Sequence, residues 1–398
     1  MMIKGTWEWQ DLDSLSPTIR SKTLSEIQHL IINHPDATME HDLEWLYAKC
    51  GVEKSVRAFV CYAADGVLIG YAPFFVHPSA LSFELLSLTL YDYRIRRLTI
   101  ASTPLIAPDH ASPDIFQSLF IKLLGSLDRR DALFGLGVPL SSQFSQFLQH
   151  NHSLRKEYLF FPHGMPYFRR FILLPKSFDE YLKNLSHGTR KQIRRAMRNL
   201  ENDADLSASF RAYTLPEEIS TYLALAQTVS DKTYQKALLG LGVSNNSETH
   251  QTLALAAKKG WLRSYILTCK HKPVAFQQGY LHNGTYYAEL TGYDPSWADK
   301  SVGTVMQIYR IHDLIQLGVT KLDFLYGDNE KKKSLSNFSR EEQNYYIIPR
   351  RFPLSSIVYG LCLFNFIVQQ LRGVMEKFKL KSQINRFLRK RVKTPSAN

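Results

Sequence analysis

The stretch DPSWADKSVGTVMQIYRIHDLIQLGVTKLDFLYGD, Asp294 to Asp328, decides the fold of the second half of the chain. A small turn, Lys300-Ser301-Val302-Gly303-Thr304, opens a long amphipathic helix expected from Ser301 to Leu317, stopped by Gly318 and followed by a strand from Lys321 to Tyr326. The first turn of a helix leaves backbone N–H groups without intrahelical partners, and the aligned peptide dipoles add partial positive charge there. A phosphate is a natural occupant of such a place. Gly303 permits close approach, and Ser301 and Thr304 add hydroxyl donors, although taken by itself Ser301 reads first as a plain helix cap.

Three strands are expected just upstream, Trp261 to Cys269, Pro273 to Leu281 and Thr285 to Tyr293, the last two joined by an Asn283-Gly284 hairpin turn. Before them come helices over Pro216 to Ser230 and Ser247 to Lys259, a strand near Ala208 to Tyr213, and a basic helix whose Ile193, Met197 and Leu200 form one apolar stripe. Ser177 and Glu180 make a Ser-x-x-Glu helix start after a strand at Tyr167 to Leu174. An earlier block shows strands at Arg57 to Tyr62, Val67 to Val76, Leu85 to Leu90, Arg97 to Ile100 and Ala132 to Val138, with a helix over Pro113 to Leu127. This is mixed α/β architecture. A length of 398 residues exceeds the usual size of one core, so the expected organisation is residues 1–160, residues 161–353 and a helical tail, 354–398.

Composition narrows the chemistry. A hydrophobic share of 44% with 21% charged residues reads as globular. Cys50, Cys61, Cys269 and Cys362 are scattered, with no CxxC pair and no clustered histidines, which argues against a disulfide scaffold and against a metal site. The start, MMIKGTWEWQDLDSL, does not read as a signal peptide, and the apolar run Ile357 to Val368 is shorter than a membrane span, so a cytoplasmic location is expected. The net charge of +13 concentrates in TRKQIRRAMR, residues 189–198, and after Leu371, where nine Lys and Arg face Glu376 alone. Nucleic acid, an anionic membrane and a phosphorylated small molecule all answer such charge. In the tail, Val374, Phe378, Ile384 and Phe387 interleave with cations, as in helices lying on an anionic membrane surface, so peripheral contact with the inner face of the membrane is a further expectation.

A strand, a turn of this kind, a long helix and a second strand resemble the acyl-CoA-binding core of the GNAT superfamily, whose loop reads Gln/Arg-x-x-Gly-x-Gly/Ala. Lys300, Gly303 and Val305 stand at those places, and only the glycine matches strictly. The segments SDKTYQKALLGLGV, KKGWLRSYILTCKHKPVAFQQGYLHNGTYYAELTGYDPSWADKSVGTVM and GVTKLDFLYGDNEKKKSLSNFS resemble the CelD-type acetyltransferases of exopolysaccharide and cellulose biosynthesis, relatives of the Fem-type peptidoglycan transferases. The resemblance implies two tandem GNAT-like domains, the first degenerate. It also implies transfer of an acyl group, acetyl above all, from acetyl-CoA to an amine or hydroxyl of a sugar or cell-envelope precursor. The alternatives it leaves open are a Fem-like transferase using aminoacyl-tRNA and a non-catalytic binding protein. Two departures stand out: the family's Ser-Pro-Gly is Ser301-Val302-Gly303, and its Tyr-Lys pair after Gly-Asp is Lys331-Lys332.

Acyl transfer needs a base for the acceptor, polarisation of the thioester carbonyl and a proton for the leaving thiolate. Asp328, beside Gly327, is the preferred base, with Asp323 as a second carboxylate that can instead pair with a cation, and Tyr293 as the acid. Lys300, Ser301, Val302, Gly303 and Thr304 are the cofactor-binding candidates. Lys232, Tyr234, Gln235, Gln277 and Lys332 are the acceptor-site candidates, Lys332 holding either an anionic acceptor or the Asp328 carboxylate. Gln277 and Gln278 point to opposite faces of their strand, so one of them is expected to meet the cleft. The basic helix is expected to be a solvated face or to contact CoA phosphates, an anionic sugar or lipid-linked group, or tRNA.

Overall fold

The structure is a computed structural model that describes residues 7–49, 55–85, 88–201, 206–233 and 242–377. Tyr234, Gln235 and the tail beyond residue 377 therefore lie outside the described residues. Its strands are β1 (Glu8–Asp11), β2 (Ser55–Tyr62), β3 (Leu68–Leu85), β4 (Leu88–Ala101), β5 (Leu105–Ile106), β6 (Asp131–Pro139), β7 (Tyr158–Leu173), β8 (Ser209–Tyr213), β9 (Ser264–Cys269), β10 (Lys272–His282), β11 (Thr285–Tyr293), β12 (Lys321–Asp323) and β13 (Phe338–Pro349). They form one sheet in the order β1-β2-β3-β4-β6-β13-β7-β12-β11-β10-β9-β8, with β5 paired to β3.

The same plan is used twice. In the first half β4 runs parallel to β6 with the helix Pro113–Ser126 between them in sequence. In the second, β11 runs parallel to β12 with the helix Val302–Gln316 between them. Parallel neighbours require such a crossover, while the remaining strands pair antiparallel through hairpins and longer connections. The Asn283-Gly284 turn carries φ of 46° and 69°, the left-handed pair that a two-residue hairpin demands. Side chains alternate as they must in a strand: Tyr286 of β11 packs with Val305 and Met306 on one face, and Tyr287 with Trp45 and Leu223 on the other.

β7 and β13 join the halves. β13 pairs with β7 from Phe338↔Phe171 to Pro349↔Tyr158, and its other edge bonds β6 at Ile347↔Leu133. The boundary expected at residues 160 and 161 thus falls inside a strand that runs unbroken across the junction. β13 was not visible in the sequence pattern because Arg340 and Glu342 interrupt it. In the fold Glu342 is buried and Arg340 donates to its Oε1 at 2.7 Å.

Helices cover both faces of the second half. Val302–Gln316, with the basic helix His187–Glu201 laid against it through Ile193, Ala196 and Leu200, covers one. Ile219–Ser230 and Ser247–Lys258 cover the other. The short helix Leu43–Ala48 of the first half also reaches that second face: the Trp45 ring meets Tyr280 edge-on at 4.5 Å, and Thr252 Oγ1 donates to the Ala48 carbonyl at 3.0 Å.

Gly279 of β10 shows how close this packing is. A methyl group there would overlap the Tyr286 hydroxyl and stand 2.8 Å from the Tyr287 carbonyl oxygen. Overpacking of that kind costs about 1–3 kcal/mol. Gly279→Ala is expected to lower unfolding stability by at least that amount in urea denaturation, whereas Gly125→Ala, which meets no heavy atom within 4 Å, should not.

Candidate active site

β11 and β12 pair over three positions only, from Thr285↔Lys321 to Tyr287↔Asp323. β11 then continues to Tyr293, while the other strand ends at Asp323 rather than at the expected Tyr326. The reason is a buried ion pair. Asp323 accepts from Arg169 Nε at 2.9 Å and Nη2 at 2.6 Å, and its Oδ1 also accepts from the Leu325 amide at 2.8 Å. The chain turns there, with φ of 56° at Leu325 and 81° at Gly327. Lys332 Nζ then gathers the carbonyls of Phe324, Tyr326 and Gly327 at 2.9, 2.9 and 3.0 Å. The sheet opens between the two strands.

The open part of β11 is held from below. Register shifts between Gln278↔Leu290 and Gly279↔Ala288, leaving Glu289 as the extra residue of a bulge. Gln277 Nε2 donates to the Leu290 carbonyl at 2.8 Å, and its Oε1 accepts from Arg310 Nη1 at 2.6 Å. Arg310 also donates to Gln307 Oε1, and Gln307 Nε2 to Thr291 Oγ1 at 3.3 Å. A guanidinium can only donate, so Arg310 dictates which end of Gln277 faces the bulge. Arg310 is fully buried near the rings of Tyr286 and Phe324, and burial lowers its pKa.

On the opposite face of β11 stands Glu289. Lys49 Nζ lies 2.9 Å from its Oε1, and Gln278 Nε2 donates to Oε2 at 3.0 Å. Burial alone would raise this carboxyl, but the Lys49 ammonium and the hydrogen bonds from its neighbours outweigh it, so Glu289 sits below the ordinary carboxylate range.

The phosphate-site candidates do come together at one place. Ser301 closes the turn in the left-handed region, φ 57°, and its carbonyl accepts from the amides of Thr304 and Val305 at 2.8 and 3.1 Å. Val302 buries its side chain in the core, leaving its amide at the open helix end. A cleft of about 590 Å³ borders this turn, lined by Ser301 and Thr304, by Gln192 and Arg195 of the basic helix, and by Lys331. Lys331 Nζ lies 3.3 Å from Thr304 Oγ1, and burial of that ammonium together with the nearby Arg310 charge lowers its pKa to about 8. Asp299 and Glu330 also border the cleft, so its affinity for an anion depends on Arg195, Lys331 and the helix end. The corresponding helix of the first half begins with Pro113, which has no N–H, and carries Asp114 in its first turn. That end repels a phosphate.

Other expectations need correcting. Asp328 is bound by Arg170 through Nε at 3.0 Å and Nη2 at 2.8 Å, and those hydrogen bonds hold it below the usual carboxylate range. Both of its carboxylate oxygens are taken by that guanidinium. Asp323 is consumed by Arg169, and Lys332 by three carbonyls rather than by an acceptor or Asp328. Gln277 is buried in the Arg310 network and does not face the cleft. Lys232 pairs with Asp294 at 2.7 Å, and Asp294 in turn caps Ser296, so both serve the turn before Ser301. Tyr293 lies at the helix start, where a Cβ on Gly303 would come within 2.9 Å of its ring. Lys300 is half-buried beside that turn. Glu289 escaped the sequence reading; its signal was one acid inside the apolar run YYAELTGY.

Residues 187–333 match the family described as "Acetyltransferase (GNAT) domain". The second half therefore carries a GNAT-type acyltransferase domain. The whole chain is similar in fold to the crystal structure of FemX, with a TM-score of 0.61 at 11% identity, covering 89% of this chain and 99% of that one. It is likewise similar to a tandem GNAT protein from the clavulanic acid biosynthesis pathway, with a TM-score of 0.51 at 9% identity over 86% and 98% of the two chains. At these identities the likeness is one of fold, two tandem GNAT-like halves. No curated protein matches the chain.

The two aspartates can be told apart by stability. Breaking a buried pair strands a charge and costs about 3–5 kcal/mol, whereas an exposed pair contributes about 0–1 kcal/mol. Asp323→Ala is expected to lose the larger amount and Asp328→Ala the smaller, read by chemical denaturation.

Proposed function

We propose that the protein transfers an acyl group, acetyl in the first instance, from CoA to an amine or hydroxyl of a sugar, polysaccharide or cell-envelope precursor. The observation that carries this reading is the cleft over the Ser301 turn, where helix amides, two hydroxyls and two cations converge. CoA would supply the activated thioester. Val302 and Gly303 offer backbone amides to its diphosphate, Thr304 a hydroxyl, and Arg195 and Lys331 charge. The opening between β11 and β12 admits the arm that carries the acyl group. Backbone N–H groups of the bulged β11, fixed by Gln277 and Arg310, are suited to polarise the carbonyl. Glu289, ionised beside Lys49, takes the proton from the acceptor, directly or through water.

The acceptor would approach from the face of β11 that Leu43–Ala48 and Lys49 border, so the first half would help to form its site. The reading with aminoacyl-tRNA as donor predicts tRNA, rather than CoA, bound to the purified protein.

Calorimetric titration with CoA tests the donor site. Thr304→Val and Lys331→Ala should each weaken CoA binding about ten- to hundredfold, as lost hydrogen bonds to charged groups do, in proteins whose melting is unchanged. Gly303→Val is a poorer test, because the new side chain would strike Tyr293. Lys331 is cationic below about pH 8, and a bound anion raises its pKa, so affinity should be greatest below pH 8 and decline above it. Lys331→Ala should flatten that dependence, and an unchanged pH profile would remove Lys331 from the site.

Glu289→Gln should lower kcat by about 10²-fold or more, with CoA affinity preserved. Lys49→Met removes the charge that holds the Glu289 pKa down. The acidic limb of the kcat/KM profile should then move to higher pH. A limb that stays where it was would separate Glu289 from the chemistry.

A further inference from the structure

The C-terminal helix Leu354–Lys377 carries no charged residue from 354 to 371, LSSIVYGLCLFNFIVQQL. Its inner stripe, Leu354, Val358 and Leu361, packs into the first half against Leu81, Ile95 and Ile348, which accounts for one apolar face. A second stripe, Tyr359, Leu363, Phe366 and Ile367, recurs at i, i+4, i+7 and i+8 and points outward, with Leu363 61% and Phe366 59% exposed.

The tip of the β3–β4 hairpin extends this stripe. Phe83 bridges the two, its ring 5.4 Å from Phe364 of the helix and 5.9 Å from Tyr91 of β4. Leu88, Leu90 and Tyr91 on that tip are exposed as well. Scattered apolar side chains on a surface need no explanation, but a continuous patch built from two elements does.

Charge names the occupant. Arg350 and Arg351 precede the helix, and nine Lys and Arg against Glu376 alone follow Leu371. Among the described residues no helix is long and apolar enough to cross a membrane. An apolar stripe with aromatic residues, next to a run of cations in the sequence and backed by a face that packs on the protein, has the chemistry of an interfacial helix. Two copies of this chain, each with a net charge of +13, repel one another, which opposes pairing on that face.

We propose that the outer stripe of Leu354–Lys377 and the β3–β4 tip form one surface that lies on an anionic lipid bilayer, with the basic segment after Leu371 supplying the electrostatic attraction. Each Lys or Arg near such a surface adds about 1 kcal/mol, and the attraction falls with ionic strength. This surface belongs to the first half and the tail. It stands apart from the cleft over Ser301, so it does not depend on the acyl-transfer reading.

The test is co-sedimentation of the full chain, without CoA, with vesicles of phosphatidylglycerol and phosphatidylcholine in equal parts and with vesicles of phosphatidylcholine alone. Binding is expected to the first and not to the second, and to weaken as salt is raised. The double substitution Leu363→Glu and Phe366→Glu should weaken it about tenfold or more. The triple substitution Arg389→Glu, Lys390→Glu and Arg391→Glu should do the same by removing the attraction. The altered side chains of the first variant are exposed, so its melting curve should match that of the parent, and light scattering should find both monomeric. Failure of the parent to bind anionic vesicles, or equal binding by the Leu363→Glu and Phe366→Glu variant, overturns the proposal. So does a parent dimer that this variant dissociates, which would make the face an interface between copies.

Discussion

The buried pair between Arg169 and Asp323 is the constraint on which the rest of the site depends. It lies at the end of β12, where the Asp323 carboxylate takes both the guanidinium of β7 and the Leu325 amide. An aspartate satisfied in this way ends its strand. β11 has no such stop and runs on for six more residues, from Ala288 to Tyr293. The divergence of two strands that begin side by side leaves an opening inside a continuous sheet. Lys332 completes the turn by holding three carbonyls that the strand would otherwise have paired. Both side chains are engaged in shaping that turn.

The two halves share a plan and differ at the starts of their crossover helices. Pro113 and Asp114 give the first crossover helix an end without a free first amide and with a negative charge. Ser301, Val302, Gly303 and Thr304 give the second an open end, flanked by Arg195 and Lys331. The first half contributes in another way, sending Trp45 and Lys49 across the face of β10 and β11 to meet Tyr280 and Glu289. In the proposed reading it supplies part of the acceptor site and the cation that keeps Glu289 ionised.

Much of this fold could be read from local pattern, because local pattern carries it. The Asn283-Gly284 turn, the Ser177 cap, the Gly318 stop and the stripe of Ile193 and Leu200 are each dictated by residues a few positions apart, and each stands as expected. The two tandem GNAT-like halves followed from the resemblance of whole segments. What could not be read depends on partners distant in sequence. Asp323 and Arg169 are separated by 154 positions, and nothing near Asp323 announces a guanidinium. β13 hides behind Arg340 and Glu342, which look like surface until they are paired in the interior. The same limit explains the exchange of roles among the lysines: Lys332 matched a motif and turned inward, while Lys331, a departure from that motif, reaches the cleft.

A crystal structure of the protein with CoA would test the central claim most directly. The account predicts the diphosphate within hydrogen-bond distance of the Val302 and Gly303 amides, Arg195 and Lys331 beside it, and the pantetheine arm entering between β11 and β12 toward Glu289. CoA bound at the helix beginning with Pro113, or anywhere that leaves the Ser301 turn and the strand opening untouched, would contradict it.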